Sequence, residues 1–463
     1  MRNQQIASRI RSITRRLRDK YYAYAARQSH YDEIPFGGSI RESIGPFPEF
    51  ILKGRFCKRS LVGMCSPCFY SRLPEHDISD CSYNDGYVEQ VNYIANHFDD
   101  LIISNQAGRV ANSSSNNDKP MYGIVCTPTG SYFDEAEYPL NVRIQNLKTL
   151  LRAADERSCR LALHIETHVK DVLRYFASPS ETELELLHNL NTRILLGFES
   201  SDDFSRNVLY NKDVLLSDFE KASSILKSNG FPVGAFVFAG LFAYNDYETI
   251  ADVKRSLTYL KQYSISPVLM FANTQKFTIS DVLTNGDRFK LLDSRTVMEL
   301  VMYAVNLFGT DMSGDIDPWF IADPKGGPPE PNNHIFNAKT NTACFSCSNK
   351  IYDAIERLRI TKDLDSFIDI YNELSSCNCY GEYKRLIKRC TCEIAAVPLH
   401  SRMIDKIESV EENLDQYVLS EMPWVVKAEI LCLGLKVSDR DMKTLLANNP
   451  FAAEKGLADA IHF

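Results

Sequence analysis

An α/β fold built on an open, partial (β/α)6 barrel is predicted by three features of this sequence. Between residues 45 and 310, short apolar runs alternate six times with amphipathic helical stretches. The runs are continuously apolar, the pattern of parallel strands covered on both faces. Polar residues and cysteines follow the runs, where parallel α/β folds gather their chemistry. Six units are two short of a closed eight-fold barrel, hence the open form.

The units follow in order. "EFILKGRFC" is the first strand, and a helix is expected around "GYVEQVNYIANHFDDLI". Residues 108–120, "GRVANSSSNNDKP", are polar and low in complexity, and are read as a flexible insertion. The strands "MYGIVCTP", "RLALHIET", "TRILLGFES", "PVGAFVFAG" and "SPVLMFANT" come next, each followed by a segment of helical periodicity. Gly230 closes one of these helices, "SDFEKASSILKSNG". Past residue 310, "DIDPWFIADPKGGPPEPNN" is too rich in Pro and Gly to continue a helix. Four regions are expected: a basic helical arm (1–44), the barrel (45–310), a Cys-rich metal-binding extension (311–395) and a small C-terminal helical appendage (396–463).

With 44% hydrophobic and 24% charged residues, the 463-residue chain can bury a sizeable core. No apolar run is long enough to span a bilayer, and the opening residues lack the apolar centre of a secretory signal. A cytoplasmic location is therefore expected, where the thirteen cysteines stay reduced and their clustering favours metal binding over disulfides. A net charge of −8 speaks against an overall nucleic-acid binder. Residues 1–30 nevertheless carry seven Arg and one Lys against Asp19 alone. Ile6, Ile10, Ile13 and Leu17 recur at helical spacing there. That arm reads as a helix packed on the body, as a docking surface for nucleic acid or an acidic partner, or as a transit peptide.

The segment "GRFCKRSLVGMCSPCFYSR" places Cys57, Cys65 and Cys68 in one polar loop beside Lys58, Arg59 and Arg72. Neighbouring cations favour the thiolate, the form that ligates metals. A structural zinc would need a fourth ligand, for which Cys81 and His76 are the nearest candidates. The sharper reading is an iron–sulfur cluster on three cysteines, leaving one iron without a protein ligand.

A strand, a three-cysteine loop and a six-unit barrel together resemble the radical S-adenosylmethionine (radical SAM) superfamily. The cysteine spacing of seven and two residues resembles the radical SAM subunit of archaeosine synthase. So do "TGSYFDEAEYP", "GFESSDDFSRNVLYNK", the Asn273, Gln275 and Thr278 of "NTQKFT", and "ADPKGGPPEP" followed by Cys344/Cys347 and Cys377/Cys379. The likeness covers roughly residues 45–385. Departures are the basic arm, the Asn/Ser-rich insertion, an added "CTC" (Cys390, Cys392), the C-terminal appendage, and Pro67 where an aromatic usually precedes the third cysteine. "PNNHIFNAKTNTAC" only loosely echoes the family's histidine-containing segment.

The resemblance implies a radical SAM-type barrel in which Cys57, Cys65 and Cys68 hold a [4Fe–4S] cluster. The cluster's open iron would chelate S-adenosylmethionine, whose reductive cleavage gives a 5′-deoxyadenosyl radical that abstracts a substrate hydrogen. Thr129, Gly130 and Ser131 are expected near the methionine end. Glu166 and Glu199 are expected to meet the ribose or ammonium group, or to form salt bridges to neighbouring helices, and Ser200 is expected among the cofactor contacts. Asn273 and Gln275 are expected to hydrogen-bond substrate or to cap the strand loop, and Thr278 to bind substrate. Tyr70 is expected to pack on adenine or to anchor the loop. An electron donor such as flavodoxin or ferredoxin and a partner subunit are implied, with no membrane. The substrate would be tRNA-borne, with C–N bond cleavage as in archaeosine formation, or a small molecule of a biosynthetic pathway, including sulfur insertion.

Cys344, Cys347, Cys377 and Cys379 supply a full set of four thiolates for zinc or an auxiliary iron–sulfur cluster, with Cys390 and Cys392 as substitute or additional ligands. A zinc-ribbon nucleic-acid-binding module is the reading from another class. It leaves the six strand–helix units unexplained.

Overall fold

The computed structural model describes residues 2–25, 39–44, 47–52, 57–67, 80–104, 109–110, 119–272, 278–308, 320–321, 343–361 and 363–421. Six parallel strands form its centre: β2 (Phe47–Leu52), β4 (Met121–Pro128), β5 (Arg160–Thr167), β6 (Arg193–Glu199), β7 (Val233–Ala239) and β8 (Ser266–Phe271). They pair in chain order through registers such as Glu49↔Val125 and Val237↔Leu269, and coincide with the six apolar runs.

Three strands were not expected. β1 (Ser39–Ile44) lies antiparallel at the β2 edge, and β9 (Phe320–Ile321) adds in parallel beyond β8. β3 (Arg109–Val110) pairs antiparallel with β4, so part of the segment read as a flexible insertion is ordered. β1 and β9 end the sheet on opposite sides, so among the described residues it is an open partial barrel. A polar six-residue strand and two-residue strands carry too little apolar pattern to be read from sequence.

Because side chains alternate along a strand, each strand serves two cores. Outward residues such as Ile124, Leu163, Leu196 and Val237 pack under helices Leu140–Glu156, Leu216–Ser228 and Asp246–Gln262. Inward residues Phe47, Val125, Leu195, Phe236 and Val268 form a separate small core inside the barrel. That inner core plugs one part of the lumen, and polar side chains occupy the carboxyl end of the strands.

The helices after the barrel are anchored to it. Ile351, Ile355 and Phe367, from helices Phe345–Thr361 and Leu364–Ser375, join the main outer core. The N-terminal helix Arg2–Ala25 buries Ile6, Ile10, Ile13 and Leu17 against Met403, Ile407, Val410 and Leu414 of helix Leu399–Glu421. Two of its arginines face acids: Arg9 meets Glu411 at 2.6 Å and Arg16 meets Asp415 at 3.4 Å. The arm therefore packs on the body through its apolar stripe and these two ion pairs. Among the described residues, no helix is long and apolar enough to cross a membrane.

Candidate active site

The cysteine loop follows β2. A single helical turn, Lys58–Leu61, separates Cys57 from Cys65, and both thiols are partly buried. Cys65 lies in the left-handed region at φ +56°, a conformation costing about 1–2 kcal/mol for a residue with a Cβ. The loop after β6 holds it there: the Cys65 amide donates to Asn211 O (3.1 Å) and the Ser66 amide to Tyr210 O (2.8 Å). The Ser66 hydroxyl adds a bond to Leu209 O at 2.7 Å. Cys68 and Tyr70 lie outside the described residues.

Cations flank the first thiol. Arg59 pairs with the fully buried Asp171 at 2.7 Å. Burial works against its charge, but Asp171 and the Cys57 sulfur outweigh it and hold its pKa above the usual value. Lys58 pairs with Asp134 of the loop after β4.

Glu137, not singled out from sequence, ties the cysteine loop to the loop after β4. Its carboxylate accepts from the Lys58 amide and from the Ser131 amide, both at 2.7 Å. Burial pushes its pKa up to about 7 against those two bonds. Gly130 is required between them: a Cβ there would lie 1.7 Å from Glu137 Oε2 and 3.2 Å from Cys57 Cα. Ser131 is buried, and its hydroxyl is engaged with Thr167 Oγ1 (3.0 Å) and the His168 amide (3.0 Å). It serves as a strut between strand ends. Thr129 is partly buried beside them.

At the ends of β5 and β6 stand Glu166, Glu199 and Lys212. Lys212 Nζ donates to Glu199 Oε1 at 2.6 Å, with both side chains largely buried. Burial pushes Glu166 up to about 7, with Lys212 opposing and Glu199 adding to the shift. A β-bulge between Gly197 and Glu199 turns Glu199 inward at φ +68°. A Cβ at Gly197 would lie 2.3 Å from Lys212 Nζ. Lys212 sits in the quoted "NVLYNK", but a lysine in a polar loop gives no signal until the loop folds back. Ser200 donates to Asp252 (2.9 Å) and accepts from the Asp202 amide, so it buttresses the β6 end. Thr278 caps helix Ile279–Asn285 through the Asp281 amide. Asn273 and Gln275 lie outside the described residues.

The second cysteine group assembles fully. The sulfurs of Cys344, Cys347, Cys377 and Cys379 all lie within 4.8 Å of one another. Cys344 and Cys377 are 4.0 Å apart, and Cys347 and Cys379 3.6 Å. Cys344 precedes helix Phe345–Thr361 and Cys379 opens helix Cys379–Ala396; a hydrogen bond from the Cys347 backbone lowers the Cys344 thiol to about 7, whereas burial raises that of Cys379. Cys390 and Cys392 lie farther along the second helix and are not among these four ligands.

These residues suit the groups that the sequence implies. The donors are soft sulfur ligands beside Lys58 and Arg59, and Gly130, lacking a side chain, lets its loop approach Cys57 with only the Glu137 carboxylate bridging the two loops.

No family model matches the chain. It is 20% identical over 338 residues to archaeosine synthase subunit beta of Methanosarcina acetivorans, spanning 73% of this chain and 84% of that protein. Solved structures with similarity include an archaeal Elp3 from Methanocaldococcus infernus, with 14% identity, 60% of each chain and a TM-score of 0.40. Coproporphyrinogen III oxidase from Escherichia coli, described as a radical SAM enzyme, aligns at 10% identity over 56% of this chain and 52% of that one, with a TM-score of 0.32. Methylornithine synthase aligns at 16% over 67% and 78%, with a TM-score of 0.33. The fold assignment rests on the strand order and registers above. The archaeosine synthase relative agrees with the archaeosine synthase resemblance carried by the motifs.

Proposed function

We propose that this chain is a radical SAM enzyme, with Cys57, Cys65 and Cys68 as ligands of a [4Fe–4S] cluster. The observation that carries this reading is the convergence of the cysteine loop, the Gly130–Glu137 loop and the Glu166/Glu199/Lys212 group at the carboxyl ends of adjacent parallel strands. Such a cluster would supply the one electron that cleaves bound S-adenosylmethionine to methionine and the 5′-deoxyadenosyl radical, and that radical would take the hydrogen atom from substrate.

The chain's own part is to bind, orient and exclude water. Gly130 allows backbone to lie close beside the Cys57 loop. Glu137 keeps the Lys58 and Ser131 amides fixed. Glu199 and Glu166 are the acceptors for ribose hydroxyls or an ammonium group, and Lys212 holds Glu199 in place through its 2.6 Å bond. Asn273 and Gln275, after β8, are the proposed substrate contacts, and Tyr70 the proposed adenine contact. A cytoplasmic location suits this oxygen-sensitive chemistry, with flavodoxin or ferredoxin as electron donor.

The archaeosine synthase likeness supports C–N bond cleavage on a tRNA-borne 7-deazaguanine adduct, beside a partner subunit. The acidic net charge and the internally paired N-terminal arginines support a small-molecule substrate instead.

For the second group, sulfur spacing favours zinc. One tetrahedral ion at about 2.3 Å from each sulfur sets the sulfurs about 3.8 Å apart, close to the 3.6 and 4.0 Å observed. An auxiliary cluster interposes four irons and spreads its ligands farther, so sulfur insertion at this site has less support.

The test is anaerobic purification of wild type and a Cys57/Cys65/Cys68→Ala variant, with iron, sulfide and zinc assayed and 5′-deoxyadenosine measured after dithionite reduction. The expected result is about four irons and 5′-deoxyadenosine formation in wild type, both lost in the variant, with zinc retained. Zinc without iron after reconstitution would overturn the reading.

A further inference from the structure

We infer that the N-terminal helix Arg2–Ala25 is a brace that positions the cluster-binding loop, with Arg18 the positioning residue for Cys65. This rests on the proposed cluster assignment, but its own evidence is the backbone of the loop. The Arg18 guanidinium is buried, and its two nitrogens donate to Met64 O at 2.7 Å and Cys65 O at 2.9 Å. A forked, rigid donor set of this kind fixes two consecutive carbonyls at once.

The other side of Cys65 is held through the same helix. The Cys65 amide donates to Asn211 O, and Asn211 is itself left-handed at φ +61°. The Asn211 side chain accepts from Arg11 at 2.9 Å and donates to Ala7 O at 3.2 Å. Both backbone groups of Cys65 are thus fixed by the helix, one directly and one through Asn211. Gly63 shows how close the contact is, because a Cβ there would lie 2.3 Å from Arg11 O. A cysteine at φ +56° persists only where its surroundings over-determine it.

The brace is in turn seated on helix Leu399–Glu421. Its apolar stripe and the Arg9–Glu411 pair lock it there. The basic arm thereby has a use inside the protein, and Arg18 adds buried positive charge beside the cysteine loop.

The test uses the full chain with Arg18→Met, which removes charge and donors, and Arg18→Lys, which keeps the charge. In metal-free protein, alkylation of Cys65 read by mass spectrometry is expected to quicken about tenfold in Arg18→Met, with Arg18→Lys between it and wild type. In reconstituted protein, chelator is expected to strip iron about tenfold faster from Arg18→Met. The midpoint potential of its cluster should also fall, while Arg18→Lys keeps the wild-type potential. Arg11→Met, a change at an exposed side chain, gives a smaller shift in the same direction and serves should Arg18→Met unfold the chain. An unchanged circular-dichroism spectrum and a cooperative thermal melt report that the fold is intact. Unchanged Cys65 alkylation and iron release in Arg18→Met would overturn the brace. Wild type that takes up no iron would instead sink the cluster assignment, with the alkylation rates still judging the brace.

Discussion

Glu137 Oε1 lies 2.7 Å from the amide nitrogen of Lys58, the residue after Cys57. This single bond carries the rigidity of one strand's loop into the next. The other carboxylate oxygen holds the Ser131 amide, so one buried side chain sets the spacing between the metal loop and the loop proposed for S-adenosylmethionine.

Glu137→Gln keeps the shape but leaves only one oxygen for two amides, that of Ser131 buried and that of Lys58 partly so. An unsatisfied buried donor costs about 1–3 kcal/mol. Thermal melts should show a loss of that size, and reconstituted iron should bind less tightly. Gly130→Ala should be worse, because its Cβ has no room beside Glu137. Equal iron retention in both variants and wild type would remove Glu137 from this role.

Lys212→Met leaves Glu199, largely buried, without its cation. Breaking a buried pair from one side costs about 3–5 kcal/mol. Equilibrium dialysis should show weakened S-adenosylmethionine binding, with Lys212→Arg partly restoring it. Binding unaffected in Lys212→Met would mean that the pair is purely structural.

Cys377→Ala should lower zinc from about one ion per chain to none, while leaving iron unchanged. Helices Phe345–Thr361 and Cys379–Ala396 then lose their shared anchor, and limited proteolysis should cut between them. Loss of about four irons in this variant would identify a cluster at the second site.

Asp252 gives a pH dependence away from the metals. Burial pushes its pKa from 3.8 up to about 6, although Ser200 and Ser205 donate to it. A raised acid is protonated in the folded chain where the unfolded chain is already ionised. Its contribution is thus fully present below pH 3.8 and lost as pH rises through about 6. Asp252→Asn should flatten this part of the stability curve by roughly 2–3 kcal/mol, read from denaturant melts across that range.

The six central strands were legible because continuous apolar runs of six to eight residues report burial on both faces. The four-thiolate group was legible because its paired cysteine spacings mark a ligand set wherever the intervening helices go. Strands β1, β3 and β9 were not, since edge pairing is decided by neighbouring backbone. The internal partners of the Ser131 and Ser200 hydroxyls, Thr167 and Asp252, were not legible, since each comes from a distant part of the chain.

By itself, then, the sequence determined the repeating α/β pattern, the two cysteine groups and the polar residues at strand ends, all of which depend on local spacing. Only the tertiary structure decided that Glu137 bolts two loops together, that Lys212 meets Glu199, and that Arg18 reaches Cys65 across 47 positions of chain. Those contacts join residues far apart in sequence or set by loop turns. Their energies come from burial and hydrogen-bond geometry that exist only once the chain has closed around them.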